Sequence, residues 1–161
     1  MLTSARLTYR QINADDEAES LVMAQSEEVM TYITGAALSL KEAKERFKHQ
    51  FAVNRESQYL GFLRAESIET REFVGYVKMT PLTSKELEIG YAILPPFWGK
   101  GFATEMLKAM EVCASSLPDV DNLIGIAHSS NQASINVLLK NGFGFQKQGE
   151  KEDTHYIKNI R

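Results

Sequence analysis

The chain has 161 residues, 43% apolar and 24% charged, with 18 Lys and Arg against 21 Asp and Glu for a formal charge of −3. That is the length of one ordinary domain, able to bury roughly 70% of the surface its unfolded form exposes and so to build a core without staples. Mild acidity excludes the dense cationic footprint of a duplex nucleic-acid binder, and one cysteine, Cys113, excludes a disulfide framework or a Cys-based zinc cluster. The first ten residues lack the apolar core of a signal peptide. The longest uncharged run, Asn122 to Leu139, is broken by Ser, Asn, Gln and His128, so it is no membrane span. The expectation is one cytoplasmic domain over 1–161, with no nucleic-acid or membrane partner.

In chain order, Arg6 to Ile12 alternates polar and apolar residues, as a strand does. Asn13 to Asp16 offers capping oxygens before a helix carrying Leu21 and Val22. Ser39 and Glu42 read as a capping box for a second helix, with Leu40, Ala43, Phe47 and Phe51 as its apolar stripe. Three strands follow, at Tyr59–Ala65, Glu72–Leu82 and Glu86–Leu94, the last stopped by Pro95-Pro96. A helix over Gly101–Leu117 presents Phe102, Met106, Ala109, Met110, Cys113 and Leu117 on one face, and Met23 and Met30 also read as core. A buried strand at Leu123–Ala127, a helix at Asn131–Lys140 and short strands at Phe143–Lys147 and His155–Lys158 complete the pattern. The result is an α/β domain with seven strands, an antiparallel meander first and a strand–helix–strand crossover later.

Between a strand end and a helix start lies Trp98-Gly99-Lys100-Gly101-Phe102-Ala103-Thr104. Two glycines permit close backbone approach, and the first turn of the helix leaves N–H groups unpaired with a partial positive charge. Together these suit a pyrophosphate; equally, the glycines serve a tight turn. A P-loop is excluded because no window supplies its pattern. A dinucleotide fingerprint fits poorly, since Thr104 replaces its third glycine and the acids Asp119 and Asp121 precede the next strand.

Taken as a set, Glu88-Ile89-Gly90-Tyr91-Ala92-Ile93, the turn Trp98 to Thr104 with Glu105, Asn131-Gln132-Ala133-Ser134 and Lys140-Asn141-Gly142-Phe143 resemble a GNAT-superfamily N-acetyltransferase. More narrowly, with Thr3 to Arg10 and Asp15-Asp16, they resemble the RimJ/RimL branch, over nearly the whole chain. The resemblance implies a GNAT-like single domain, a central mostly antiparallel mixed sheet of about seven strands with helices on both faces. It implies acetyl-CoA as cofactor and an amine acceptor, either a protein N-terminus or a small molecule. Homodimers are common in that family, and dimerisation is carried over as an expectation.

The family's acyl-CoA signature falls on Trp98, Gly101 and Ala103, with Trp98 where Gln or Arg is usual. The backbone of Gly99, Lys100, Gly101, Phe102, Ala103 and Thr104 is then expected to hold the pyrophosphate. The main chain of Ile93 and Leu94 is expected to pair with the pantetheine arm, and the Asn131 amide to reach the pantetheine region or cap its helix. The resemblance makes Glu88 the candidate base, acting through water; strand alternation puts it on one face with Gly90 and Ala92. Its other role is that of a salt-bridged strand residue. The tyrosine that many relatives place seven residues after the Asn is here Leu138, which leaves Ser134 as candidate proton donor to the departing sulfur, or as a small residue for close packing.

His128 is a rival base by its ordinary pKa, or a turn histidine bonded to backbone. His49 and His155 read as surface residues. No spacing suits a metal, so none is expected. The acids Asp15, Asp16, Glu17, Glu19, Glu27 and Glu28 either draw a cationic acceptor or form a solvated helix face. Tyr32 to Ala37 is an expected acceptor-pocket lining. Direct transfer in a ternary complex is the implied mechanism, and the competing function is a non-catalytic acyl-CoA-binding sensor.

Overall fold

The computed structural model describes residues 2–57 and 60–161. Eight strands form one sheet in the order β1-β2-β3-β4-β5-β6-β8-β7. They are β1 (Leu2–Thr3), β2 (Leu7–Gln11), β3 (Gly61–Ser67), β4 (Phe73–Pro81), β5 (Glu86–Ile93), β6 (Asn122–His128), β7 (Gly144–Gln148) and β8 (Asp153–Asn159). Five α-helices accompany them: α1 (Glu17–Ala24), α2 (Glu27–Met30), α3 (Leu40–Asn54), α4 (Phe102–Ser115) and α5 (Gln132–Lys140). Every neighbouring pair is antiparallel except β5 and β6, which the crossover through α4 makes parallel. The eighth strand, β1, is two residues paired to β2, too short for alternation to show. The expected start of β3 at Tyr59 lies outside the described residues.

Alternation sorts each strand between two cores. Leu7 and Tyr9 of β2, Leu63 and Ala65 of β3, and Leu87, Ile89 and Ile93 of β5 pack with the buried face of α4 and with Ile135 and Leu138 of α5. On the opposite face, Ile12, Phe73 and Tyr76 pack with Met23, Val29, Met30 and Phe47 from α1, α2 and α3. A register shift between β3 and β4, where Ala65 pairs Gly75 but Glu66 pairs Phe73, leaves Val74 as the extra residue. That bulge reverses the alternation, so Val74 joins Val77 on the α4 face and Phe73 joins Tyr76 on the other. In α3 the Ser39–Glu42 capping box forms, and Ala43 and Phe47 are buried; Leu40, at the helix start, is exposed. His155, expected at the surface, is half-buried.

Two acids of the segment before and within α1, Asp16 and Glu19, are bound by arginines. Asp16 accepts from both terminal nitrogens of Arg10, at 2.7 and 2.8 Å. The buried Arg64 bonds Glu19 and Glu66 and lies over the Phe73 ring. Burial alone would raise the Asp16 carboxyl, but the Arg10 guanidinium and the Asn13 backbone N–H outweigh it and hold the carboxyl below its usual range. A depressed carboxylate contributes stability at pH values above its unfolded pKa, and that contribution is lost as pH falls through the folded one. Urea unfolding at pH 7, 4 and 3 is therefore expected to show stability falling below about pH 4. Asp16→Asn should destabilise at pH 7 by about 1–3 kcal/mol and flatten that acid limb; an unaltered limb would remove Asp16 from the account.

Candidate active site

The sheet opens at its one parallel junction. β5 and β6 pair from Glu86↔Asn122 to Ile89↔Gly125 and then separate, while β6 continues to His128 beside β8. Leu94 N–H donates to Val74 O, so by alternation the N–H and C=O of Tyr91 and Ile93 face away from β4, toward the opening. Trp98, expected as a signature residue, is half-exposed and donates its indole N–H to Ile93 O at 2.7 Å. The backbone groups of Leu94, expected at this edge, are engaged elsewhere: its carbonyl accepts from Phe97 N–H. The open-edge groups are the N–H and C=O of Tyr91 and the N–H of Ile93, whose carbonyl Trp98 occupies.

The glycine turn flanks this opening. Gly99 and Gly101 have φ of +69° and +81°, conformations that disfavour any residue with a Cβ, and nothing lies within 4 Å of a Cβ built on Gly99. Gly101 is the N-cap of α4 and supplies no capping side chain, unlike Ser39 at α3 or Asn131 at α5. The first-turn amides of α4 thus face a cavity of about 430 Å³ that Gly99, Gly101, Ala103, Thr104, Asn131 and Ser134 help to line. Behind the turn, Arg6 donates to Lys100 O at 2.9 Å and to Glu105 Oε2 at 2.7 Å, with its guanidinium 4.0 Å from the centre of the Phe102 ring. Glu105 also accepts from Arg6 N–H and from Ser4 Oγ. Burial works against its charged form, but these donors hold its carboxyl below the usual range. This clamp spans 99 residues of sequence, and no local pattern signals it.

α5 reaches the opening because Gly125 has no side chain: a Cβ there would sit 2.6 Å from Leu138. Leu138 is buried in the core. Asn131 Oδ1 accepts from Ser134 N–H at 3.2 Å, which is the capping role. Ser134 Oγ lies 3.1 Å from the Tyr91 hydroxyl. Burial raises the Tyr91 pKa against the lowering effect of that hydrogen bond, so the phenol keeps its proton at neutral pH. Strand alternation puts Tyr91 on the side of β5 away from Glu88 and gives no sign of this partner.

A second cavity, about 410 Å³, shares Tyr32, Ile33, Tyr91 and Ala92 with the first. Glu88 and Gly90 of β5 line it, together with side chains from α1 and α3. Lys78 Nζ holds Glu88 Oε1 at 2.6 Å, so the salt bridge anticipated for Glu88 forms inside a cavity wall. Of the Tyr32 to Ala37 stretch, Tyr32 and Ile33 line both cavities; of the acids, Glu28 lines only the other cavity. His128 Nδ1 accepts from Ser130 N–H and its Nε2 is 3.3 Å from Glu152, with the ring against Tyr32. Burial raises the half-buried Cys113 thiol. Among the described residues no cluster of three or more His, Cys, Asp or Glu is placed to hold a metal, and no helix is long and apolar enough to cross a membrane.

Comparison with known proteins decides the family: the acetyltransferase (GNAT) domain model matches residues 6–144. The chain belongs to the GNAT acetyltransferases. It is 29% identical over 153 residues to the uncharacterized N-acetyltransferase YoaA of Bacillus subtilis, covering 92% of this chain and 84% of that one. In fold it matches the Salmonella typhimurium acetyl transferase that modifies the N-terminal serine of ribosomal protein L7/L12, with a TM-score of 0.79, 20% identity and 98% and 97% coverage. It also matches the Vibrio cholerae spermidine N-acetyltransferase, solved with CoA and spermine, with a TM-score of 0.78, 14% identity and 97% and 96% coverage. The GNAT family uses acetyl-CoA. In this GNAT chain the cavity between β5, α4 and α5 combines an open strand edge, an uncapped helix N-terminus and a turn with no Cβ at Gly99 and Gly101.

Proposed function

We propose that this chain transfers the acetyl group of acetyl-CoA to a primary amine, directly within a ternary complex. The observation that carries the reading is the meeting of two cavities at Tyr91 and Ala92, one fitted to the cofactor and the other holding Glu88. Acetyl-CoA, when bound, supplies the activated acetyl thioester. The amides of Gly99 to Thr104, with the helix dipole of α4, receive the pyrophosphate. Tyr91 and Ile93 offer backbone N–H groups to an extended arm and to the charge that develops on the acyl oxygen. Asn131 borders the arm. Glu88 takes the proton of the acceptor ammonium through a water, since only the neutral amine attacks. Ser134, with the Tyr91 phenol behind it, donates toward the departing sulfur.

The test is thermal unfolding with acetyl-CoA, with NAD and ATP as controls, followed by thiol release on adding amines. At a hundred times its Kd, acetyl-CoA should stabilise by about 2.7 kcal/mol, roughly 5–10 °C for a domain of this size. A larger shift with NAD, or none with acetyl-CoA, would overturn the cofactor assignment. Stabilisation with no amine-dependent thiol release would favour the acyl-CoA-binding sensor, a reading to which the apolar, buried Leu138 also lends itself.

A further inference from the structure

The cavity beside Glu88 holds a cation without a counter-ion. Arg46 of α3 lines it, half-buried, and among the described residues no carboxylate, hydrogen-bond acceptor or aromatic face partners its guanidinium. Burial lowers its pKa, and no acid offsets that desolvation. Four residues on, and so on the same helix face, Gln50 lines the same cavity, is only 9% exposed, and its amide likewise has no protein partner. All other arginines whose pKa is resolved as shifted, Arg10 and Arg64, are matched by carboxylates. The lysine in the cavity, Lys78, is already paired to Glu88. Asp153, at the start of β8 beside His128, lines the cavity too and has no cation within bonding distance.

Arg46 and Gln50 present an unpartnered guanidinium and an unpartnered amide, their polar atoms still open to solvent, to one cavity, where a ligand with matching acceptors can engage both. Arginine presents a planar fork of donors that matches a carboxylate bidentately. Arg46 does not line the cavity at the glycine turn, so the pyrophosphate is not its partner. A polycationic acceptor would need several uncompensated acids here; no acid of α1 lines this cavity, Glu19 and the preceding Asp16 are bound to Arg64 and Arg10, and the cavity instead offers one free cation and one free anion.

Resting on the acetyltransferase reading, we infer that the acceptor is a small amine that itself carries a carboxylate, the carboxylate seated on Arg46 and Gln50 and the amine held toward Glu88 and Asp153. Met23, Met30, Phe47 and Phe62 in the same wall provide for an apolar body between or beside the two charges. The reaction balances without a further reactant: the ammonium first loses one proton through Glu88 to solvent, the neutral nitrogen bonds the acetyl carbon, the carbon–sulfur bond breaks, and the nitrogen's second proton is released as Ser134 delivers one to the sulfur, which departs as thiol.

The experiment compares thiol release from acetyl-CoA with phenylalanine, methionine and 4-aminobutyrate against phenylalaninamide, methioninamide and butylamine, with spermidine as the polycation. The acids should exceed their neutral counterparts in kcat/KM by about 10-fold or more, and Arg46→Gln should raise KM for the acids about 10- to 100-fold. The same variant should leave the neutral amines and the acetyl-CoA thermal shift unchanged, and Arg46→Lys should recover part of the loss. Preference for the amides or spermidine, or an equal effect of Arg46→Gln on acids and amides, would overturn the inference. Should no amine release thiol, the transferase reading fails, and calorimetry on the CoA-saturated protein still decides the Arg46 site. Binding of phenylalanine over phenylalaninamide that Arg46→Gln abolishes sustains it; equal binding removes it.

Discussion

Glu88→Gln is expected to lower kcat at pH 7 about 100-fold while leaving acetyl-CoA binding unchanged, because general base catalysis contributes on that scale. The side chain keeps its shape and its place on β5, so the loss isolates the proton-accepting function. Two features make the effect specific. Glu88 faces the cavity next to Gly90 and Ala92, and Lys78 Nζ at 2.6 Å fixes where its carboxylate sits. A merely structural role would lower activity equally at every pH. A base role predicts that the variant regains rate as pH rises, since an acceptor already deprotonated in solution no longer needs Glu88. Lys78→Met provides the companion measurement: loss of position without loss of the carboxylate should cost less than Glu88→Gln. Full turnover in Glu88→Gln would take the residue out of the chemistry.

Ser134→Ala is expected to lower kcat about 10- to 100-fold with KM for acetyl-CoA little changed, as a proton donor to the leaving sulfur is removed. Tyr91→Phe should have a smaller effect in the same direction, because the phenol stands 3.1 Å behind Ser134 Oγ and retains its proton at neutral pH. If the two hydroxyls act as one unit, the double variant will be no slower than Ser134→Ala alone. Independent, multiplicative losses would show two separate roles, and undiminished kcat in Ser134→Ala would return that residue to a packing function.

What periodicity and spacing reveal here is whatever lies within a few residues along the chain. The α4 stripe from Phe102 to Cys113, the Ser39 capping box and the glycine turn all depend on such neighbours and form, although α4 ends at Ser115 and leaves Leu117 beyond the helix. The parts that escape depend on partners far away in sequence. Alternation puts Tyr91 on the face of β5 that packs on α4, but it says nothing of α5 arriving over Gly125 to bring Ser134 within hydrogen-bonding distance. Arg46 reads as one more polar residue on an amphipathic helix until the cavity shows that nothing neutralises it. Asp16 and Glu19 look available in the sequence because Arg10 and Arg64, which claim them, lie on strands β2 and β3. The Val74 bulge inverts the inward and outward order of β4, which strict two-residue alternation assigns wrongly at Phe73.

The clamp of Arg6 on Lys100 O and Glu105 ties the segment joining β1 and β2 to the loop proposed to receive the pyrophosphate. Two processes thereby share one free energy. Ligand that orders the loop also holds down the edge of the sheet, and by thermodynamic reciprocity anything that loosens that edge weakens the ligand by the same factor. Under the proposed function the first strand pair is thus part of the apparatus that sets cofactor affinity, although none of its residues lines the cavity at the glycine turn.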